Sequence, residues 1–323
     1  MFGKGSSNED STVDAQLNKP EWKILEKVAT ASMIEQRKSR RWGIFFKFLT
    51  FAYLLMIIGA LMPSDASLPS VGGEHVALVS LDGVIAADLP ANANTVVSGL
   101  RSAFEAEASK AVILTINSPG GSPVQSGYIN DEINRLRALY PDKKLHAVIA
   151  DLGASGGYYV AAAADQIYAD KASLVGSIGV ISAGFGFDGL MEKIGVDRRV
   201  YTSGESKAFL DSFQSQKDTD VEFWQSVLAV THAQFIEVVK SGRGERLMDD
   251  PEIFSGLIWT GEQALEKGLI DGLGSAGYVA REVIGIDNII DYTVQPNPFE
   301  QFARRIGTSF SAGMINAVSP QLR

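Results

Sequence analysis

The chain has 323 residues, of which 46% are hydrophobic and 21% are charged, and this is the composition of a folded protein. Its net charge of −9 argues against nucleic acid as a partner, because binding to phosphates requires a basic surface. The absence of cysteine excludes disulfides, thiol catalysis and thiolate metal sites, and the three histidines are too widely spaced for a zinc site. We therefore expect neither a metal nor another cofactor.

The first strong feature in chain order is an apolar segment at residues 42–62, which follows a polar segment at 1–41. The apolar segment holds a single charge, Lys47, and as a helix it would be about 31 Å long, close to the thickness of a bilayer core. Four basic residues within 37–41 precede it, and the next Lys or Arg is Arg101. The positive-inside rule therefore predicts a single-pass anchor in the cytoplasmic membrane, with a cytoplasmic N-terminus and an extracytoplasmic (periplasmic) remainder. A buried core helix and a cleaved signal peptide are the alternatives.

A predicted linker at 63–74, rich in Pro and Gly, leads into alternating strands and helices. Short apolar runs typical of strands lie at 75–85, 110–117, 145–151, 166–170 and 196–202. Helical patterns lie at 94–108, 124–140, 156–164 and 221–242, and the segments at 261–268 and 275–285 close the domain. This alternation predicts an α/β domain with a largely parallel sheet over residues 75–290, and a C-terminal tail at 291–323.

Two glycine-rich turns follow two of the predicted strands, NSPGGS at 117–122 and GASGG at 153–157. Because the carboxyl ends of parallel strands meet at one edge of a sheet, both turns are expected at that edge. Backbone amides exposed at such turns can stabilise an oxyanion, and the amides of Gly121 and Gly156 form the natural pair. The alternative is that both turns use glycine only for backbone conformation and close packing.

Ser155, in the second turn, is a candidate nucleophile, and a nucleophilic serine needs a base. His75 begins a predicted strand, His146 lies inside one and His232 lies within a predicted helix, so a structural role is expected for each. A lysine can serve as the base when burial disfavours its charged form. Lys207, in a turn rich in Ser and Gly, is such a candidate, although a lysine in a loop is otherwise a solvated surface group.

The order of the motifs resembles the signal peptide peptidase family over about residues 75–285. The motifs are LDGVI, NSPGG, GASGGYYVA, GSIGVI, SGESK and WTGEQALEKGLIDGLG. The resemblance implies a membrane-anchored serine endopeptidase with the Clp protease/crotonase superfold of repeated ββα units. It also implies a catalytic dyad, with Ser155 as nucleophile, Lys207 as general base and Ser177 orienting the lysine amine. The oxyanion hole would consist of the amides of Gly121 and Gly156.

The resemblance further implies a homo-oligomer in which neighbouring subunits help to form the substrate groove. The expected substrates are short, apolar peptides near the membrane, such as signal peptides left after secretion. Two other classes of function stay open at this point. A crotonase-type acyl-CoA enzyme would use the paired amides without Ser155 or Lys207, and a membrane scaffold would use the same fold for oligomerisation without turnover.

Overall fold

The computed structural model describes residues 20–61 and 73–295 of the chain. The chain divides into two compact units at the boundary between Leu68 and Pro69. The first 19 residues, most of the predicted linker and most of the predicted tail lie outside the described residues.

In the described part of the first unit, one helix, α1, runs from Pro20 to Leu61. It continues from the charged N-terminal segment into the apolar segment without a break. Large apolar side chains are exposed along it, among them Ile44, Phe48, Phe51 and Met56. Among the residues whose side chains are described, no helix is both long and apolar enough to span a membrane.

The second unit contains an eight-stranded sheet in its described residues. The strands are β1 (His75–Asp82), β2 (Ser109–Ser118), β3 (Leu145–Ala154), β4 (Gln166–Ala169), β5 (Leu174–Gly176), β6 (Ile258–Thr260), β7 (Gly272–Leu273) and β8 (Ile289–Asp291). Their spatial order is β6-β5-β3-β2-β1-β8, and β4 pairs with both β3 and β7. All pairs are parallel except β5–β6. The prediction of an α/β domain with a largely parallel sheet is confirmed.

The described residues of this unit also form seven helices. They are α2 (Ala93–Glu105), α3 (Pro123–Leu139), α4 (Gly156–Ala161), α5 (Asp188–Ile194), α6 (Asp218–Arg243), α7 (Gly261–Glu266) and α8 (Ala276–Tyr278), the last continued by a π-helical stretch over Val279–Ile284. Two 3₁₀ turns lie at Gly244–Arg246 and Pro251–Phe254. Helices α2, α3, α4 and α6 lie close to where the sequence predicts them, whereas the shorter elements α5, α7, α8 and β5 to β8 have no counterpart among the predictions.

One predicted strand is wrong, because residues 196–202 are irregular and exposed. The side chains of this segment are used locally instead of in the sheet. The guanidinium of Arg198 pairs with Asp211 at 3.0 Å and lies 4.8 Å from the ring centre of Phe213. Because the segment is exposed, water can satisfy its backbone hydrogen-bonding groups without a neighbouring strand.

The central strands are buried on both faces, which explains their nearly continuous apolar sequences. The larger core lies under α2, α3, α4 and the C-terminal half of α6. A smaller core on the opposite face joins the strands to Val279 and Ala280 of the π-helical stretch. Helices therefore cover both faces of the sheet, and the ends of its strands are the surfaces left open for a site.

Strand β3 has two different neighbours along one edge. Strand β4 pairs with its first half, at 146–149, and β5 pairs with its end, at 152–154. The hydroxyl of Ser173 fills the gap by donating hydrogen bonds to the carbonyls of Ile149 and Ala150. The end of β3 consequently lies between β2 and β5, and the GASGG turn contacts the segments that follow both strands.

A buried ion pair holds the C-terminal end of α6 against the sheet. The guanidinium of Arg243 donates to both carboxylate oxygens of Asp271, at 2.7 and 2.9 Å, and the amide of Ile167 donates to the same carboxylate at 2.7 Å. Burial raises the pKa of Asp271, but the hydrogen bond from Arg243 and its charge outweigh burial and hold the pKa below its ordinary value. The network fixes the helix that forms one wall of the cleft described below.

Close packing of α6 on α4 depends on Gly242. A Cβ at this position would lie 1.9 Å from the carbonyl oxygen of Ala162, so Gly242→Ala must displace the helix. We expect the free energy of unfolding to fall by about 3 kcal/mol, measured by urea denaturation of the full chain. Gly189→Ala on α5 is the matched control, since no atom lies within 4 Å of its Cβ. Equal effects of the two substitutions would contradict this account of the packing.

Candidate active site

A cleft of about 560 Å³ opens at the carboxyl ends of β2 and β3. Its floor is formed by the two glycine turns, and its walls by α3, by the segment that follows β5 and by α6. Gly121, Ser155 and Gly156 all line it. The expectation that the two turns meet at one edge of the sheet is confirmed.

Ser155 lies between β3 and α4 in a backbone conformation that side chains rarely adopt, with φ 52° and ψ −123°. Its amide donates to the carbonyl of Gly176 at 2.8 Å, and its carbonyl accepts from the amide of Tyr159 at 2.9 Å. These two bonds hold the residue in its strained position. A serine presented on a strained turn between a strand and a helix is the geometry of a nucleophile elbow, although GASGG is not the GxSxG motif.

The two glycine turns are in direct contact because glycine leaves room for the neighbouring backbone. A Cβ on Gly120 would lie 2.5 Å from the amide nitrogen of Gly156 and 2.7 Å from Cβ of Ser155. A Cβ on Gly156 would lie 3.3 Å from the amide nitrogen of Gly121. The glycines are therefore required for close approach, and the approach brings two backbone amides to the side of Ser155.

Both of these amides are available to a ligand. The isolated bridge between Ile85 and Gly121 uses the carbonyl of Gly120 and the amide of Ser122, so the amide of Gly121 points away from Ile85. Gly156 is the first residue of α4, where helix geometry leaves the amide without a partner. Within the described residues neither amide donates a hydrogen bond. Two free donors beside a serine can hold a negatively charged oxygen.

Substituting Gly121 tests this arrangement. Its φ is 148°, and a Cβ would lie 2.1 Å from the carbonyl oxygen of Ile85, so Gly121→Ala must move the amide. We expect kcat for peptide hydrolysis to fall by about 100-fold, the usual effect of losing one oxyanion donor. Gly83→Ala is the matched control, because Gly83 also has a positive φ, 91°, but no atom lies within 4 Å of its Cβ. This variant therefore introduces backbone strain without a clash that would displace the backbone. A comparable loss of kcat in Gly83→Ala would count against the assignment of the amide.

The structure places Ser177 beside Ser155. Ala154 pairs with Gly176 in the parallel register of β3 and β5, so the residues that follow them, Ser155 and Ser177, lie side by side. Both have a φ of 52°. The amide of Ser177 donates to the carbonyl of Leu257 at 2.7 Å, which holds the segment against β6.

Lys207 is not brought to the cleft. It lies in the predicted turn, where its amide donates to the carbonyl of Gly204 at 3.2 Å, but the residue is exposed and is not part of the cleft lining. The described part of the chain thus brings Ser155 and the two oxyanion glycines to the cleft, places Ser177 at the adjoining strand end but outside the cleft lining, and leaves out the residue predicted as the base. The described residues do not provide the burial that a lysine base requires.

Several lining residues were not singled out from the sequence. Tyr128 and Asp131 come from α3, Tyr159 from α4, and Gln234 and Phe235 from α6. The rings of Tyr159 and Phe235 are 5.1 Å apart, and burial, followed by the charge of Asp131, raises the pKa of Tyr159. The helical spacing of these residues could have indicated a shared face, but an amphipathic face is more often core than cleft.

None of the three histidines lines the cleft. His232 makes a 3.1 Å hydrogen bond through Nε2 to the carbonyl of Ile178, and His75 bonds the hydroxyl of Tyr292 at 3.0 Å. His146 is buried in β3, and burial lowers its pKa. Each contributes to the packing of the fold. Among the described residues, no group of three His, Asp or Glu side chains could hold a metal ion.

Comparison with known proteins gives one family. Residues 137–284 match the model described as peptidase family S49, a range that contains Ser155, Ser177 and Lys207. A protein of Enterococcus faecium named putative signal peptide peptidase SppA is 33% identical over 183 residues, which are 57% of this chain and 53% of that protein. A protein of Synechocystis named putative protease slr0021 is 35% identical over 165 residues, 51% of this chain and 58% of that protein.

A higher identity is found to a much longer protein. A protein of Brucella abortus named Na(+)/H(+) antiporter NhaA is 48% identical over 197 residues, which are 61% of this chain but 26% of that protein. The chain thus spans about a quarter of that relative and just over half of each of the other two. Because the match leaves out most of the Brucella protein, its name is not carried over to this chain.

Proposed function

We propose that this chain is a serine endopeptidase of peptidase family S49, whose model matches residues 137–284, with Ser155 as its nucleophile. One observation carries the assignment of the site. Ser155 occupies a strained turn at the cleft, next to the unpaired amides of Gly121 and Gly156. Packing alone requires neither the strain at the serine nor two free donors beside it.

The geometry supports acyl transfer through a covalent intermediate. Ser155 Oγ attacks the carbonyl carbon of the scissile bond while its proton passes to a base. The amides of Gly121 and Gly156 hold the resulting oxyanion, each contributing about 3 kcal/mol to stabilising the transition state. The C–N bond then breaks as the base protonates the leaving amine. Water attacks the acyl-serine by the reverse proton path and releases the new carboxylate.

For the base we propose Lys207 of a neighbouring subunit. The lysine is exposed in one chain and does not line that chain's cleft, so a second copy would be needed to bury it beside a serine. The segment that carries it supports such an assembly. Three large apolar or aromatic side chains near it are strongly exposed: Ile181 (87%), Phe185 (80%) and Tyr201 (91%). Exposed apolar side chains of this kind are often covered at subunit interfaces.

We further propose that residues 42–62 anchor the protein in the cytoplasmic membrane, with the peptidase unit on the extracytoplasmic side. Support comes from the unbroken run of α1 into the apolar segment, from its exposed apolar side chains and from the basic residues at 37–41. An anchored enzyme meets peptides in the membrane at a high effective concentration. Apolar peptides, including signal peptides left after secretion, are therefore the proposed substrates.

The walls of the cleft agree with apolar substrates. Val124 and Tyr128 on α3 are exposed to the cleft, and Phe235 on α6 faces it from the opposite wall. An extended peptide between them would place one side chain against aromatic and aliphatic surface near Ser155, and such burial favours binding by about 25 cal/mol per Å².

The test is direct hydrolysis by the full chain, purified in detergent or reconstituted in vesicles. Internally quenched peptides with an apolar core should be cut at internal bonds, and mass spectrometry of the fragments locates the bonds. Acyl-CoA thioesters should not be turned over. If the chain cuts no peptide but hydrolyses a thioester, the crotonase-type alternative replaces the proposal.

A further inference from the structure

Among the described residues that line the cleft, Asp131 is the one whose side chain is charged at neutral pH. It lies on α3, on the same wall as Tyr128, and it is exposed. The rest of the lining consists of apolar, aromatic, glycine and neutral polar residues. A single carboxylate in such a cleft gives the site a negative potential, which favours positively charged groups on a bound peptide.

No described residue neutralises the charge of Asp131 by an ion pair. Arg135 is one helical turn away and would be its usual partner, but this guanidinium donates to both carboxylate oxygens of Glu132, at 2.7 and 2.9 Å. Arg101 donates to the same carboxylate at 2.7 Å. These hydrogen bonds lower the pKa of Glu132 to about 2, so Glu132 stays ionised and keeps both arginines. Within the described residues, Asp131 forms no ion pair or side-chain hydrogen bond of its own.

The length of α3 between the oxyanion turn and Asp131 gives an estimate of how far this residue lies from the reacting carbonyl. Asp131 is eight residues after Pro123, the first residue of α3, which follows the oxyanion turn. Eight residues of α-helix correspond to about 12 Å. An extended peptide covers that distance in about three to four residues at 3.3 Å each. A lysine or arginine side chain reaches several Å further, so the reachable positions are about two to four residues from the scissile bond.

We propose that Asp131 is a specificity residue that selects peptides carrying Lys or Arg two to four residues from the cut bond. The proposal rests on the proposed peptidase function and names its substrate class: an apolar segment with a nearby basic residue. The methylene stem of such a side chain would pack on the ring of Tyr128, and its charged end would pair with the carboxylate. A peptide with Glu at the same position would be repelled.

The experiment compares kcat/KM for three internally quenched peptides that differ at one position, which carries Lys, Gln or Glu. The position is scanned over four residues on each side of the scissile bond. For the wild type we expect the Lys peptide to exceed the Gln peptide by about two- to fivefold at one or two positions, as for an exposed ion pair. Asp131→Asn should remove this preference, and Asp131→Lys should reverse it in favour of Glu. Asp142→Asn, an exposed acid outside the cleft, is the matched control.

Binding to the Ser155→Ala variant separates the two proposals. The same peptides, labelled with a fluorophore, are titrated into this variant and its Asp131→Asn derivative, at low and at high salt. Tighter binding of the Lys peptide that is lost in Asp131→Asn and weakened by salt supports the specificity role, even if no peptide is hydrolysed. Equal binding and equal kcat/KM for the three peptides would overturn it while leaving the peptidase assignment in place.

Discussion

Ser155→Ala is expected to lower kcat for peptide hydrolysis by at least about 1,000-fold, because no acyl-enzyme can form without the hydroxyl. The residual rate would come from the oxyanion amides and from substrate binding, which the substitution leaves in place. Binding of uncut peptide should persist, since the methyl group of alanine fits where the serine Cβ already lies. The measurement is kcat and KM on an internally quenched peptide, with intact fold checked by thermal denaturation.

The matched control for this variant is Ser102→Ala. Ser102 lies on α2, its hydroxyl bonds the carbonyl of Ser98 at 3.1 Å, and it is exposed and remote from the cleft lining. Its substitution should change kcat by less than about twofold, as expected for a surface site. Full hydrolysis by Ser155→Ala would remove the serine from the mechanism. Loss of hydrolysis with unchanged biological function would favour the scaffold alternative.

Lys207→Ala is expected to reduce kcat to a similar degree, because the serine proton then has no acceptor. Lys207→Arg should be equally inactive, since a guanidinium keeps its proton. Lys193→Ala is the control, because Lys193 is also an exposed lysine and lies on α5, outside the cleft lining. Activity retained in Lys207→Ala would reassign the base to another group.

Mixing the two inactive variants tests which subunit supplies the lysine. Ser155→Ala and Lys207→Ala chains with different tags are co-expressed, and assemblies that carry both tags are purified. If a neighbour provides Lys207, about a quarter of the sites in a random mixture would combine an intact serine with an intact lysine and regain activity. If serine and lysine of one site belong to one chain, the mixed assemblies stay inactive, and the proposal of a shared site fails.

Local patterns were sufficient for most of the fold. The apolar runs of β1 to β3 and the periodicity of α3 and α6 predict their elements to within a few residues. The shortest strands escaped prediction, because β5 and β6 have three residues each and β7 has two. In so few residues no periodicity can develop, and their strand conformation is set by pairing with distant parts of the chain.

Some residues of the site could likewise be found from the sequence, and others could not. The glycine turns after two predicted strands drew attention to Gly121, Ser155 and Gly156, but their proposed roles, like that of Ser177, came from the resemblance. The residues of the cleft walls could not be predicted, because Phe235 and Tyr128 line the same cleft only once α6 and α3 have packed on the sheet. The strand expected at 196–202 is absent, because this exposed segment pairs with no described strand and its Arg198 makes only local side-chain contacts. Lys207 remains a prediction, since its position in one chain does not bring it to the serine.

The central claim, that Ser155 is the nucleophile, is tested most directly by covalent labelling. A fluorophosphonate reacts with an activated serine when Oγ attacks phosphorus and fluoride leaves. After incubation of the full chain, tandem mass spectrometry of its peptides locates the adduct. We predict one adduct per chain, on Ser155, and none in Ser155→Ala. An adduct on a different residue, or labelling that persists in Ser155→Ala, would contradict the assignment.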